Sequence, residues 1–152
     1  MRVTQYKCVM AVKESRHNYN VRFNSSNKIA DAIRQIYRVE QLPEEHVWLI
    51  GMDTQMKFKG IFEVTKGTAN SSLISPREIF RDLLLIDAVC FVVVHNHPSG
   101  EADPSREDMA VTRRLVESGK LVGVKMLDHV IVTENGYTSI RQLGNGNISW
   151  ED

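Results

Sequence analysis

The sequence predicts an α/β (α+β) domain, a single mixed β-sheet sandwiched by helices. Three observations lead there. Apolar residues switch along the chain between strand period and helix period. The β-branched run at residues 88–94 (AVCFVVV) suits a central strand covered on both faces. Neighbouring strand candidates are joined in places by short turns, so the sheet cannot be wholly parallel.

In chain order, residues 6–12 read as a strand. Ser26 opens a helix that places Ile29, Ile33, Ile36 and Tyr37 at helical spacing. Residues 45–51 (EHVWLIG) read as a buried strand, 53–55 as a turn, and 57–64 as the returning strand of a hairpin, with Phe58 and Phe62 apolar. A polar loop follows at 65–72. Ser75, Pro76 and Glu78 form a helix start: Ser75 as cap, Pro76 at the first helical position and Glu78 completing a capping box. That helix is expected to reach Ile86. After the central strand, 95–103 read as a loop. Ser105 caps a second helix, expected to run to Ser118 and stop at Gly119. Residues 122–133 are strand-like, 134–136 a turn and 137–140 a short strand. The tail from Gly144 (GNGNISWED) is expected to fray.

The chain has 152 residues, with 19 Lys and Arg against 19 Asp and Glu, so its formal net charge is zero. Hydrophobic residues make up 42% and charged residues 25%, enough apolar material for one ordinary core. There is no repeat and no linker, so residues 1–152 read as one domain. No apolar run approaches the roughly 18 residues of a membrane span. Lys7, Lys13, Glu14 and Arg16 interrupt any signal-peptide core. A cytoplasmic protein without membrane contact is expected. Cys8 and Cys90 each sit in an apolar run and read as buried, reduced thiols. Zero net charge argues against a dedicated non-specific nucleic-acid or membrane binder, which is normally basic, and leaves room for a local basic patch.

The chemistry concentrates at residues 95–108 (HNHPSGEADPSRED). His95 and His97 stand two apart at the end of an apolar strand. If the strand continues through them, both imidazoles face one side, as two ligands of one metal must. Pro98, Gly100 and Pro104 then turn the chain into a helix with Asp108 in its first turn, where the helix dipole favours a carboxylate. Two neutral His and one Asp make three ligands and leave a fourth position open, as in catalytic zinc sites. The same triad suits non-haem iron. Ser105 and Asp108 also have a purely structural explanation, as an N-cap and its capping partner.

His95-x-His97, seven residues, Ser105, two residues, Asp108 resembles the JAMM (MPN+/JAB) metalloprotease signature in order and spacing. The fuller string HNHPSG…PSxxD is similar to the RadC-like branch of that superfamily. So are Ser75-Pro76-Arg77-Glu78-Ile79-Phe80, Asp128-His129-Val130-Ile131-Val132 and Gly136-Tyr137-Thr138-Ser139. The resemblance covers about residues 29–144. It implies a cytidine-deaminase-like JAB/MPN architecture and one zinc ion per chain, held by His95, His97 and Asp108. It implies Ser105 as the donor to a tetrahedral oxyanion. It also implies an upstream glutamate as general base near the start of a core strand. Glu45 matches that place and Glu44 is the runner-up.

The implied activity is metallopeptidase or isopeptidase cleavage of an amide bond in a peptide or isopeptide-linked protein. The alternative is a DNA-repair-associated or protein-interaction module without catalysis. Longer RadC-like proteins carry an N-terminal helix-hairpin-helix module, and no such pattern precedes Ile29, so a JAB domain standing alone is expected. Residues 67–74 are placed to flank the cleft and to pair with an extended substrate. An exposed edge strand would let two copies pair as a homodimer. His129 is expected to support the site or the core rather than ligate, and Asp128 to be able to orient a ligand His. His17 and His46 are expected at the surface or an interface. Met10, Met52 and Met126 are expected in the core, and Glu101 and Asp103 as solvated loop acids.

Overall fold

Seven consecutive buried residues make β3 (Cys90–Asn96) the middle of the sheet in the computed structural model, which describes residues 4, 25–67, 74–144 and 146–151. The other elements are α1 (Ser26–Tyr37), β1 (Glu45–Met52), β2 (Phe58–Gly67), α2 (Pro76–Leu85), α3 (Arg106–Val122), β4 (Lys125–Val132), β5 (Tyr137–Ser139) and α4 (Ile140–Leu143). A 3₁₀ turn at Val39–Gln41 links α1 to β1. Five strands form one sheet in the order β2-β1-β3-β4-β5. Neighbours are antiparallel except β3 and β4, which run parallel and are joined by the crossover helix α3. The mixed sheet flanked by helices is as expected and is consistent with a JAB/MPN fold. The expected strand at 6–12, together with Cys8, Met10 and His17, lies outside the described residues, as do 68–73 of the expected loop.

Period-2 alternation divides the core in two. Val47 and Leu49 of β1 and Phe91 and Val93 of β3 face α2 and α3, meeting Ile79, Leu83, Val111 and Leu115. Trp48, Ile50, Val92 and Val94 point the other way, against Ile29 and Ile33 of α1. Met52 and Met126 are in the core, as expected. Cys90 is buried and free, and burial pushes its thiol up to about 11, which leaves it unreactive.

One irregularity decides which side chains of β4 reach which face. Phe91 is opposite Met126, but Val92 is opposite Asp128, so Leu127 is an extra residue in the ladder. A one-residue insertion reverses the facing of everything beyond it. Unbroken pairing would send Asp128 toward α3. The bulge instead turns Asp128 to α1 and His129 to α3. Asp128 accepts hydrogen bonds from Ser26 Oγ (2.8 Å), Ser139 Oγ (2.6 Å), His129 N (2.7 Å) and Arg141 N (3.2 Å). It therefore ties α1, β5 and α4 to the sheet and does not orient a ligand His.

Several boundaries differ from the expected ones. β2 continues three residues past Val64, because Thr65, Lys66 and Gly67 still pair with the start of β1. Pro76 begins α2, but no capping box forms at Ser75, since the Glu78 N–H bonds the Ser75 carbonyl instead (3.1 Å). α3 runs through Gly119 to Val122 and ends at Gly123, which adopts a left-handed φ of 83°. Gly119 serves a different purpose. A Cβ there would lie 2.4 Å from the Val124 carbonyl oxygen, so the glycine lets the chain fold back closely into β4. β5 stops at Ser139, which caps α4 through Gln142 N (3.1 Å).

The tail, expected to fray, is docked. Ile148 and Trp150 pack on the α2/α3 core. Lys120 Nζ donates to the Ser149 and Glu151 carbonyls (2.7 Å each), Arg141 pairs with Glu151, and the Arg141 guanidinium lies 5.7 Å from the Trp150 ring centre. His46, expected at the surface or an interface, is buried within the fold. It stacks on Trp48 and its Nδ1 lies 2.7 Å from Glu63 Oε1. No helix among the described residues is long and apolar enough to cross a membrane.

Gly→Ala in a helix interior ordinarily stabilises by up to about 1 kcal/mol. At Gly119 the close carbonyl reverses the sign. Gly119→Ala is expected to lower unfolding free energy by about 1–3 kcal/mol, the usual cost of overpacking, read from the shift in urea midpoint. A midpoint that rises would refute the close-approach role.

Candidate metal site

The strand continues through His95 and Asn96, so 95 and 96 are not loop as the segment 95–103 was read. His95 shares the facing of Phe91 and Val93, toward α3. His97 follows just beyond the strand end, held in line by its N–H bond to the Val132 carbonyl (3.0 Å). Val47 pairs with His95 across β1, which puts Glu45, two residues earlier, on the same face near His97. The loop then returns the chain to α3, and Asp108 in its first turn completes the group.

Ligand atoms of Glu45, His95, His97 and Asp108 all lie within 4.8 Å of one another. His95 Nε2 and His97 Nε2 are 2.9 Å apart. Asp108 Oδ1 is 3.4 Å from the first and Asp108 Oδ2 is 3.5 Å from the second. Glu45 Oε1 stands further back, 3.8 Å from His95 and 3.9 Å from His97. Glu45 is also the more exposed carboxylate, at 28% against 14% for Asp108. The expected residues are thus brought together, with Glu45 rather than Glu44 at the group. Glu44 is exposed and contributes its backbone carbonyl to Asn96.

The electrostatics match that layout. Burial works against an ionised Asp108, but the His95 and His97 rings beside it, which can donate to it when protonated, and the Ser105 N–H outweigh burial and hold the carboxyl well below the usual range. Glu45 moves the other way, raised chiefly by burial. His97 is raised, first by its hydrogen bond to Asp108. His97 Nδ1 lies 2.8 Å from the Glu101 carbonyl oxygen, which can only accept. Nδ1 therefore carries the hydrogen, and in the neutral ring Nε2 presents a lone pair to the centre. The donor set of two imidazole nitrogens and one ionised carboxylate fits a divalent transition-metal ion.

Ser105 is the N-cap of α3, and a full capping box forms. Its Oγ accepts from Asp108 N (3.0 Å), and Asp108 Oδ2 accepts from Ser105 N (2.8 Å). Accepting leaves the Ser105 hydroxyl hydrogen available at an exposed position. Glu101 and Asp103 are exposed, as expected.

Two further residues, Asn96 and Thr112, brace the group. Asn96 faces away from the metal group and is buried. Its Oδ1 accepts from His46 N (2.6 Å) and its Nδ2 donates to the Glu44 carbonyl (3.0 Å). It thereby clamps the backbone on both sides of Glu45. Its position between two same-facing His was the available signal, since a middle residue must face the opposite layer. Thr112, one helical turn after Asp108, bonds the Asp108 carbonyl and His129. The i, i+4 spacing from Asp108 was visible, but its partner on β4 was not.

The family model of the RadC-like JAB domain matches residues 23–145. A UPF0758 protein of Thermotoga maritima is 40% identical over 123 residues, 81% of this chain and 54% of that protein. A UPF0758 protein of Desulfitobacterium hafniense is 38% identical over 121 residues, 80% of this chain and 52% of its own length. One of Desulforudis audaxviator is 41% identical over 100 residues, 66% of this chain and 44% of that protein. The chain spans about half the length of these curated relatives. With most of its length matched, the chain belongs to the RadC-like JAB domain family.

Proposed function

We propose that this domain is a zinc-dependent hydrolase that cleaves an amide bond in a peptide or isopeptide-linked protein. One observation carries the reading. Two histidine nitrogens and a carboxylate held ionised converge on one point, while a second carboxylate, with its pKa raised, stands about half an ångström further back. Three groups suited to ligate and one suited to move protons are what metal-assisted hydrolysis needs.

His95, His97 and Asp108 would hold the ion. A zinc ion bound there would supply Lewis acidity, to polarise a carbonyl and acidify a water. Glu45 accepts a proton from the attacking water. Its raised pKa suits that task, because a base closer to neutral can also hand the proton on to the leaving amine. Ser105 accepts from the Asp108 N–H, so its hydroxyl hydrogen is free to meet the oxyanion. Asn96 holds the Glu45 backbone between two hydrogen bonds and so limits how far the base can drift.

Metal analysis of purified protein is expected to show one zinc per chain, lost in His95→Ala/His97→Ala. Stoichiometric zinc in that variant would refute the site. Affinity is expected to fall as pH drops. Asp108 raises His97's pKa, so His97 keeps its proton to higher pH than usual, and the metal must displace that proton. Competition titrations across pH check the sign.

Glu45→Gln is expected to abolish turnover of fluorogenic peptide and isopeptide substrates while zinc stays bound. Full activity would reassign the base.

Ser105→Ala is expected to cost about 0.5–2 kcal/mol of stability through the lost cap, and kcat as well. Ser105→Asp separates the two roles. Aspartate caps as well as serine but has no hydrogen to donate, so stability should return and kcat should not. Recovery of kcat in Ser105→Asp would leave Ser105 a cap alone.

A further inference from the structure

We infer that Thr112 and His129 form a one-directional hydrogen-bond relay that fixes His95 with its proton on Nδ1 and its bare Nε2 toward the proposed metal. The inference rests on that metal site and deepens it: it assigns two positioning residues, neither of which touches the ion.

The argument counts hydrogens. Thr112 Oγ1 lies 2.6 Å from the Asp108 backbone carbonyl. Two oxygens at that separation need a hydrogen between them, and a carbonyl has none, so the hydroxyl donates. Thr112 Oγ1 also lies 2.6 Å from His129 Nδ1. Its only hydrogen is already used, so His129 Nδ1–H must be the donor. His129 is fully buried and its two ring nitrogens meet only His95 and Thr112, with no carboxylate bonded to either, so the ring is neutral and carries no second hydrogen. Its Nε2 is therefore an acceptor. That Nε2 is 2.7 Å from His95 Nδ1, which must donate. A neutral His95 then presents an unprotonated Nε2 to His97 Nε2, 2.9 Å away.

The relay's direction is set at its far end by an acceptor that cannot be reversed. That end is the carbonyl of Asp108, itself one of the proposed ligands. The chain of contacts runs from β3 to β4 to α3 and returns to the metal group. The bulge at Leu127 makes it possible, because without that extra residue His129 would face α1. His97 reaches the same state independently, through the Glu101 carbonyl. Two lone pairs then face each other at 2.9 Å, an arrangement that repels unless a positive charge lies between them.

The test reads tautomers in the full chain, labelled with ¹⁵N, at alkaline pH and without metal. Long-range ¹H–¹⁵N correlation spectra distinguish Nδ1–H from Nε2–H rings. Both His95 and His129 are expected as Nδ1–H. Thr112→Val removes the hydroxyl at nearly constant shape, frees His129 to protonate Nε2, and is expected to move the His95 proton to its own Nε2. Zinc affinity, measured by chelator competition, is expected to fall about 10- to 100-fold in that variant, the usual range for lost partners of ligating histidines. Thr112→Ser keeps the hydroxyl and is expected to restore both readouts. His129→Gln can accept from His95 and donate to Thr112, and is expected to bind zinc far better than His129→Phe.

A wild-type His95 protonated on Nε2 overturns the relay. So does a Thr112→Val protein with unchanged tautomers and affinity. Failure of wild-type protein to bind zinc overturns the metal site instead, and the tautomer spectra of metal-free protein still decide the relay.

Discussion

A strand buried along its whole length cannot carry polar side chains unless a partner waits on each face. β3 ends in His95-Asn96, and both are almost wholly inaccessible to water. Leaving such groups unpaired would cost about 1–3 kcal/mol apiece. The fold answers on opposite sides. Toward α3, His95 finds His129, His97 and Asp108. On the other side, Asn96 finds the backbone around Glu45. Both the His95–His97–Asp108 cluster and the placement of Glu45 beside it therefore follow from satisfying two adjacent buried residues.

The Leu127 bulge serves the same requirement from the neighbouring strand. Asp128 and His129 are consecutive, and each needs partners that only one face holds. Asp128 needs donors, which Ser26 and Ser139 supply. His129 needs one donor and one acceptor, which His95 and Thr112 supply. Regular pairing would hand each residue the other's surroundings. One inserted residue resolves both, and it also links the structural network around α1 to the chemical one around α3 through two successive positions.

Much of this was legible in the sequence, and the parts that were not share a cause. The central strand, the same-facing His95 and His97 and the first-turn Asp108 are local patterns, fixed by period and capping. The direction of Asp128, the burial of His46 and the docked tail depend on contacts distant in sequence. Nothing near Asp128 announces the bulge that turns it from α3 to α1. His46 looks like a surface residue until Trp48 and Glu63 close around it. In GNGNISWED the glycines and asparagines suggest fraying, yet Ile148 and Trp150 pack against the core that α2 and α3 share with the sheet. Gly119 resembles a helix stop because its true reason, the Val124 carbonyl, lies on the return path of the chain.

Ser105 and Asp108 admit two explanations in the sequence, a helix cap with its partner, or an oxyanion donor and a metal ligand. The geometry makes these one arrangement. The capping box fixes the Asp108 carboxylate by giving Oδ2 the Ser105 N–H, which leaves both oxygens turned to the histidines at 3.4 and 3.5 Å. The same box occupies a lone pair of Ser105 Oγ and so determines which way its hydrogen can point. A cap ordinarily stabilises a helix end and nothing more. Here the helix end also borders the His95–His97 cluster, so the cap that starts α3 holds the Asp108 carboxylate in place and helps to keep it ionised. Removing the cap should disturb stability and chemistry together, and only a substitution that restores the cap without a donor can separate them.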